Sequence, residues 1–473
     1  MRLLLAALLA AAPLAARPNF ILMMADDQGW GDVGFNGHPL LRTPHLDAMA
    51  REGVRLDRFY AAAPVCSPTR GSCLTGRHPS RYGIDWAAEG RLPAGEVTLA
   101  EALRGAGYRT GHFGKWHLGQ LSRTLRQGRK NKVETAKYAP PWEHGFEVCF
   151  STEASVPTFN PYYYTDATQR VESILRQDAE SVGREHRWSE NYWTGPGRFV
   201  DEPLAGDDSA LIMDRALDFI RQAEGRPFLA CIWFHAPHTP IAAGRADRQP
   251  YASLPVEQQH FLGSITALDT QVGRLRAELR RLGLAEDTVV LYCSDNGPSY
   301  IHPYGSAGRF RGLKGSLLEG GIRVPAIVEW PRGLRGGRVV TAPLSTSDFY
   351  PTLVAWAGAR VTRQPVLDGT DVRAILAGTQ AERGAPIHFH SPLKNEGDPW
   401  AKPGTFQAAA QTDRLKLLTV DSGATWTLHD LAADPREERD LAAQFPEEVA
   451  RLREALMAWR RGCESSARGA DYR

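Results

Sequence analysis

Two short runs of oxygen-bearing side chains stand where a metal-dependent reaction could be built. Asp26 and Asp27 follow the apolar run 20–24, and Asp295 and Asn296 follow the apolar run 288–293. In open α/β sheets, ligands collect at the carboxyl ends of strands. Adjacent carboxylates there repel each other and lose solvation unless a cation compensates. A hard divalent ion is the natural partner for all-oxygen ligands. Asp26-Asp27 alone also fits a turn; a second acidic strand end that can converge on the same ion strengthens the metal reading. Between the two pairs lies Cys66-Ser67-Pro68-Thr69-Arg70. Proline suits the first turn of a helix. Cys66 is therefore expected near a helix N-terminus, where partial positive charge favours anions. Arg70 follows one turn later. As a bare pattern, C-x-P-x-R fits a buried structural cysteine as well.

The elements needed to position these residues are visible as short apolar runs alternating with helical periodicity, the signature of a parallel or mixed α/β sheet. Strands are expected at 20–24, 54–60, 108–113, 228–234 and 288–293. Thr43 and Pro44 read as the N-cap and first residue of a helix running to about Glu52. Ile212, Ala216 and Ile220 mark one face of a helix over 209–223. Phe261, Ile265, Leu268, Val272, Leu275 and Leu279 mark a longer helix, stopped near Gly283. After about residue 380 the pattern changes to short strands at 415–420 and 426–429 and a terminal helix at 446–460. The expected fold is thus α/β: a large central sheet, mixed but mostly parallel, flanked by helices, with a smaller C-terminal α+β domain. The expected organisation is a signal peptide over 1–16, a catalytic domain over 17–380 and the small domain over 381–473. Residues 120–202 lack a clear period and mix Arg123, Arg126, Arg129, Lys130 and Lys132 with Tyr162, Tyr163, Tyr164, Trp188, Tyr192 and Trp193. Such a segment is either a solvated excursion or a substrate-facing insertion.

Composition narrows the class. The chain has 473 residues, 42% hydrophobic and 23% charged, which is globular. Its formal net charge is +2, from 56 basic and 54 acidic residues. That balance argues against a dedicated nucleic-acid binder, which needs a basic excess. Arg2, the apolar stretch 3–14 and the small Ala15 and Ala16 have the form of a signal peptide, too short to span a bilayer. The expectation is export to a periplasm or the outside, without stable membrane insertion. Six cysteines are few for a disulfide scaffold of this length. They show no zinc-finger spacing, and Cys231 and Cys293 sit in apolar runs as core thiols.

Several segments together resemble one family. Cys66-Ser67-Pro68-Thr69-Arg70 followed by Leu74-Thr75-Gly76 is similar to the signature of type I sulfatases, formylglycine-dependent and arylsulfatase-like members of the alkaline phosphatase superfamily. Residues 107–119, containing Lys115 and His117, resemble the second signature. Residues 18–32, 235–240, 294–297, 311–325 and 428–437 match in family order. The resemblance implies hydrolysis of sulfate esters, with Cys66 oxidised to formylglycine by a maturation enzyme. It implies one Ca2+ held by Asp26, Asp27, Asp295, Asn296 and the modified Cys66. Lys115, Lys314 and Arg70 would then neutralise the sulfate. His238, with Lys314 as competitor, would protonate the leaving alcohol, and His117 would be the base. Outside such motifs a histidine is ordinarily a satisfied core or loop residue and a lysine a surface cation. The motifs reverse this for Lys115, His117, His238 and Lys314, whereas His112, His235 and His302 lack that support. Cys73 departs from the family, standing where an aliphatic residue is usual. The expected substrate is a sulfated small molecule or glycan. Two alternatives stand beside it: a phosphodiesterase or phosphonate monoester hydrolase of the same superfamily, and a non-catalytic sulfated-glycan binder in which Cys66 is never oxidised.

Overall fold

The structure is a computed structural model that describes residues 17–125, 133–164, 174–181, 186–188, 190–393 and 405–472. The expected signal peptide, and Arg126, Arg129, Lys130 and Lys132, lie outside these residues. So do the side chains of Tyr163 and Tyr164.

Among the described residues one sheet of ten strands dominates. In chain order its strands are β1 (Asn19–Ala25), β2 (Val54–Leu56), β3 (Arg109–Lys115), β4 (Val148–Thr152), β5 (Trp193–Gly195), β6 (Arg198–Phe199), β7 (Phe228–Trp233), β8 (Thr288–Ser294), β9 (Ala326–Glu329) and β10 (Arg338–Val340). Their spatial order is β10-β2-β9-β8-β1-β7-β3-β4-β5-β6. The five central strands, β8 to β4, are parallel. Strands buried on both faces carry continuous apolar runs rather than alternation, and every residue of β1, β7 and β8 is buried.

Alternate residues of β1 serve two cores. Phe20, Leu22 and Met24 pack with Cys73, Leu74, Leu99, Leu103 and Leu353 on one face. Ile21 and Met23 pack with Leu46, Ile212, Leu268 and Val272 on the other. The helices supplying these contacts are α1 (Pro44–Glu52), α2 (Cys66–Thr75), α3 (Leu99–Gly105), α4 (Asp208–Arg221), α5 (Val256–Arg281) and α6 (Phe349–Ala357). Each such buried Leu or Phe contributes about 1.5–3 kcal/mol. Helix α5 ends as its sequence indicates: Gly283 takes φ +69°, its N–H bonds Arg280 O, and Leu284 N–H bonds Leu279 O, the pairing of a Schellman cap.

Register brings the strand ends level. Ala25 lies opposite Ser294, and Met24 opposite Trp233. Trp233 in turn lies opposite Gly114, and Lys115 opposite Thr152. The residues that follow these strands therefore emerge side by side along one edge.

A second, antiparallel sheet of four strands runs in sequence order: β11 (Ile387–Pro392), β12 (Phe406–Gln411), β13 (Leu415–Thr419) and β14 (Thr427–Asp430). Helix α7 (Pro446–Ala467) covers it through Leu452 and Leu456. Lys416 on β13 ties it to the large sheet's side, pairing with Glu319 (3.0 Å) and Glu437 (2.9 Å) without solvent exposure.

Three local expectations change. The strand expected over 54–60 is split: Val54–Leu56 joins the large sheet, while Phe59–Tyr60 pairs with Leu344–Ser345. Asp57 between them is drawn to Arg323 at 2.9 Å. Thr43 does not cap α1 through its side chain; its hydroxyl instead accepts Gly34 N–H and donates to Asp47. The terminal helix runs on to Ala467 rather than stopping near Arg460.

Candidate active site

Four parallel strand ends and one helix start converge. Asp26 and Asp27 leave β1, Asp295 and Asn296 leave β8, Lys115 ends β3, and His238 lies in the turn after β7. Cys66 is the first residue of α2, with its N-cap at Val65. Lys314 arrives on a loop held by Lys314 N–H to Pro298 O (3.0 Å) and Gly315 N–H to Pro64 O (2.8 Å). Two glycines allow the close approach. A Cβ on Gly114 would lie 1.9 Å from Trp233 O, and one on Gly297 would lie 2.0 Å from Gly320 O. Asp27 and His117 both adopt positive φ, +63° and +58°, at a cost of about 1–3 kcal/mol each that persists only where the surroundings enforce it.

Among the described residues, three carboxylates and three permanent cations meet here. Arg70 donates twice to Asp295 Oδ2, at 2.7 and 3.0 Å, and once to Lys115 O at 3.0 Å. Lys115 Nζ donates to Asp26 Oδ2 at 2.6 Å, and Lys314 Nζ to Asp27 Oδ1 at 2.6 Å. Asp295 Oδ1 accepts the Asp27 N–H at 3.1 Å. His238 Nε2 stands 3.8 Å from Asp27.

Electrostatics follow from this arrangement. Burial works to raise Asp26, but Lys115, His238, Arg70 and Lys314 together hold it well below the usual carboxylate range. Lys314 and His238 likewise keep Asp27 low against burial. Lys314 is pushed up against burial by Asp27, so it stays an ammonium. Burial depresses His238 to about 3 and also holds His117 well below its ordinary value, with Lys115 and Arg70 adding to it. Both imidazoles are therefore neutral at pH 7. Burial pushes the Cys66 thiol up, opposed by Lys115 and Lys314.

The site fits a cation. Ligating atoms of Asp26, Asp27, Cys66 and His238 all lie within 4.8 Å of one another. Asp26 Oδ1 and Asn296 Oδ1 are buried without a hydrogen-bond partner. Buried polar atoms left unpaired in this way are costly, and oxygens of this kind suit a hard ion. The cluster opens into a cavity of about 340 Å³, bounded by Trp86, Trp188 and Tyr300 and by Gln120, Glu134 and Glu153.

Comparison with known proteins decides what the arrangement belongs to. Residues 18–359 match the family model Sulfatase. Steryl-sulfatase of Mus musculus is 34% identical, the match covering 80% of this chain and 68% of that protein. N-acetylgalactosamine-6-sulfatase of Canis lupus familiaris is 34% identical, with 81% and 70% covered. The crystal structure of Ps i-CgsB in complex with k-i-k-neocarrahexaose superposes with TM-score 0.77 at 25% identity, over 94% of this chain and 93% of that one.

The chain belongs to the sulfatase family. It is a type I sulfatase of the alkaline phosphatase superfamily, a sulfuric ester hydrolase. In this sulfatase every site residue read from the sequence lies at one place: Asp26, Asp27, Cys66, Arg70, Asp295 and Asn296 in the buried cluster, Lys115 beside it, and His117, His238 and Lys314 at the cavity floor. The three histidines without motif support have partners of their own, and His302 also feels the charges of Asp27 and Lys314. His235 is fully buried between Asp208 (2.7 Å) and Thr152 (2.8 Å). His112 bonds Ser151 at 2.7 Å, and His302 packs on Phe261.

Sequence reasoning missed the wall formed by residues 153–155. Strand β4 leads into them, and its sequence Val148-Cys149-Phe150-Ser151-Thr152 mixes apolar and hydroxyl residues and so carries no strand signal. Ser155 Oγ lies 3.5 Å from Asp26 Oδ2. All six cysteines are free and buried. Among the described residues no helix is long and apolar enough to cross a membrane.

Proposed function

We propose that this sulfatase hydrolyses sulfate esters of a saccharide, using residue 66 oxidised to formylglycine and a calcium ion. The observation that carries the reading is Cys66 at the head of α2, within a buried cluster of opposed charges, open on one side to a cavity. Asp26, Asp27, Asp295, Asn296 and the oxidised residue 66 would hold the ion. With a thiol at 66 the donor set includes soft sulfur, which suits zinc as well; with an oxygen there the set suits calcium. When both groups are in place, the hydrated aldehyde supplies a hydroxyl nucleophile and the ion a positive field that helps to ionise it.

The remaining work falls to the chain's own side chains. Arg70, Lys115 and Lys314 already offset the three carboxylates, so a divalent ion adds positive charge that the single negative charge of a sulfate ester offsets in part. Lys115 and Lys314 are placed to receive its oxygens, a fixed field of the oxyanion type. Arg70 holds Asp295 and the Lys115 carbonyl in place. His117, neutral at rest, is able to take the proton from residue 66. At rest Lys314 carries a proton and His238 does not. His238, or in its place the ammonium of Lys314, would give a proton to the leaving alcohol. A cavity of about 340 Å³ is at the small end for ligand sites and suits one ring with its sulfate. Aromatic walls match the C–H faces of a sugar.

Mass spectrometry of the peptide carrying Cys66 is the direct test: conversion of thiol to aldehyde lowers its mass by about 18 Da. Matured protein should release sulfate from sulfated sugars and turn over matched phosphate esters far more slowly. An unconverted Cys66 in active protein, or faster phosphate release, overturns the reading.

A further inference from the structure

The chemistry described so far uses Cys66, His117, His238 and Lys314 and leaves a neighbouring wall of the cavity without a role. Glu153 follows β4 directly and lines that wall. Its backbone carbonyl accepts the His117 N–H at 3.0 Å, which fixes it beside the proposed base. Its Oε2 accepts the Leu121 N–H at 3.1 Å, and the Gln120 side chain supplies a second bond. The other carboxylate of the wall, Glu134, is engaged by Lys137 at 3.1 Å. A carboxylate has about four lone-pair positions, so Glu153 retains acceptor capacity toward the cavity. Burial pushes this carboxyl up to about 7, against the bonds from Leu121 and Gln120, with Glu134 adding to the rise. The rest of the enclosure is largely carbon: Trp86, Trp188, Ile301 and the half-exposed Tyr300.

Glu153 lines the same cavity as Lys314, His117 and His238, so a ring held there by its sulfate shares the enclosure with the Glu153 carboxyl. A ring bearing hydroxyls satisfies the carboxylate. A hydrocarbon ring of similar size satisfies the walls but strips water from Glu153 and offers nothing in return.

We propose that Glu153 is a specificity-determining residue that accepts a hydrogen bond from a hydroxyl of the sulfated ring, so that the site selects polyhydroxylated sulfate esters over aryl or steroid ones. This rests on the saccharide reading above. Sites built to bond a polar group reject analogues that lack it, because the protein's own group is left unpaired.

The test uses full-length matured protein, 4-nitrophenyl sulfate, a panel of monosulfated hexoses and N-acetylhexosamines, and deoxy analogues of any sugar cleaved. For Glu153→Gln and Glu153→Leu, kcat/KM on the sugar esters should fall roughly 10- to 100-fold relative to the aryl ester, mainly through KM. One deoxy sugar should be a correspondingly poor substrate for wild type, with that penalty absent in the variants. Unfolding midpoints of both variants control for misfolding, and Glu153→Gln keeps an acceptor for the Leu121 N–H. A fall by the same factor on both ester classes, or no fall, overturns the specificity role and leaves the sulfatase reading standing. Wild type that cleaves the aryl ester but no sugar ester also overturns it. If protein with residue 66 converted cleaves neither class, the proposed function fails first and takes this inference with it.

Discussion

Replacing Arg70 by alanine would expose the charge balance on which the site depends. The guanidinium has no solvent exposure, makes two hydrogen bonds to Asp295 and one to the Lys115 carbonyl, and stands 3.6 Å from Asp26. It also lies over the Trp233 ring at 5.4 Å. Its removal leaves three buried carboxylates facing two lysines, with Asp295 keeping the Asp27 N–H but losing its ion pair. Breaking a buried pair by deleting one partner costs about 3–5 kcal/mol, and that loss is expected in the metal-free protein. Calcium should restore part of it, because the freed Asp295 strengthens the negative field at the proposed ligands. A ligand present at a hundred times its dissociation constant stabilises by about 2.7 kcal/mol, so a tighter site in the variant gains more from the same calcium concentration. Arg70→Lys should fall between the two, since a lysine keeps the charge but not the fork of donors. Urea unfolding followed by tryptophan fluorescence, with EGTA and with calcium, reads both effects. If metal-free Arg70→Ala unfolds at the wild-type urea concentration, or calcium raises both midpoints equally, the role of Arg70 in balancing the charge of Asp295 is wrong.

Cys66→Ala should abolish sulfate release while leaving the unfolding midpoint near wild type, whereas Cys73→Ala, a truncation inside the core, should keep activity at a stability cost of about 1 kcal/mol; equal loss of activity in both would contradict the assignment of the nucleophile. Exhaustive chelation should stop turnover and lower the thermal midpoint, and unchanged values after verified metal removal would remove calcium from the account. Acid should loosen the contact of the small sheet with the rest. His78, His388 and His390 surround Trp459, Ser80 and Asp368, with Arg81, Asp85 and Arg460 facing them. Burial lowers His78 to about 3, and His388 and His390 to about 4, while unfolded histidine titrates near 6.5, at about 1.4 kcal/mol per unit of difference. The unfolded chain thus takes up protons first, so this stability is complete above about pH 6.5 and is lost as pH falls toward 4. Urea midpoints across that range should decline less steeply in His388→Phe, which keeps the stacking on Trp459; an identical slope would show that His388 does not carry the effect.

Much of the architecture was readable because burial leaves a local trace. Strands β1, β7 and β8 are covered on both faces, so their residues form unbroken apolar runs that end at the acids and histidines of the site. Helix α5 shows its buried stripe at helical spacing and closes on Gly283. Strand β4 left no such trace, because Ser151 and Thr152 are satisfied by His112, His235 and the Ala154 carbonyl rather than by apolar neighbours. Strand β5 and the edge strand β6 are too short to carry a period.

The inventory is written locally: two acidic strand ends, a cysteine at a helix start, and the lysines and histidines of the matched motifs are each encoded by their immediate neighbours. Which of these face one another is set by the folded chain. That Arg70 occupies Asp295, that Asp26 and Asn296 keep an oxygen free, and that Trp86, Glu153 and Tyr300 enclose one cavity are consequences of strand register and loop crossing. Those contacts join residues far apart in the chain, from the Glu153–His117 pairing on a shorter scale to Arg70–Asp295, 225 positions apart, on a longer one, and no local pattern records the partner across such a distance.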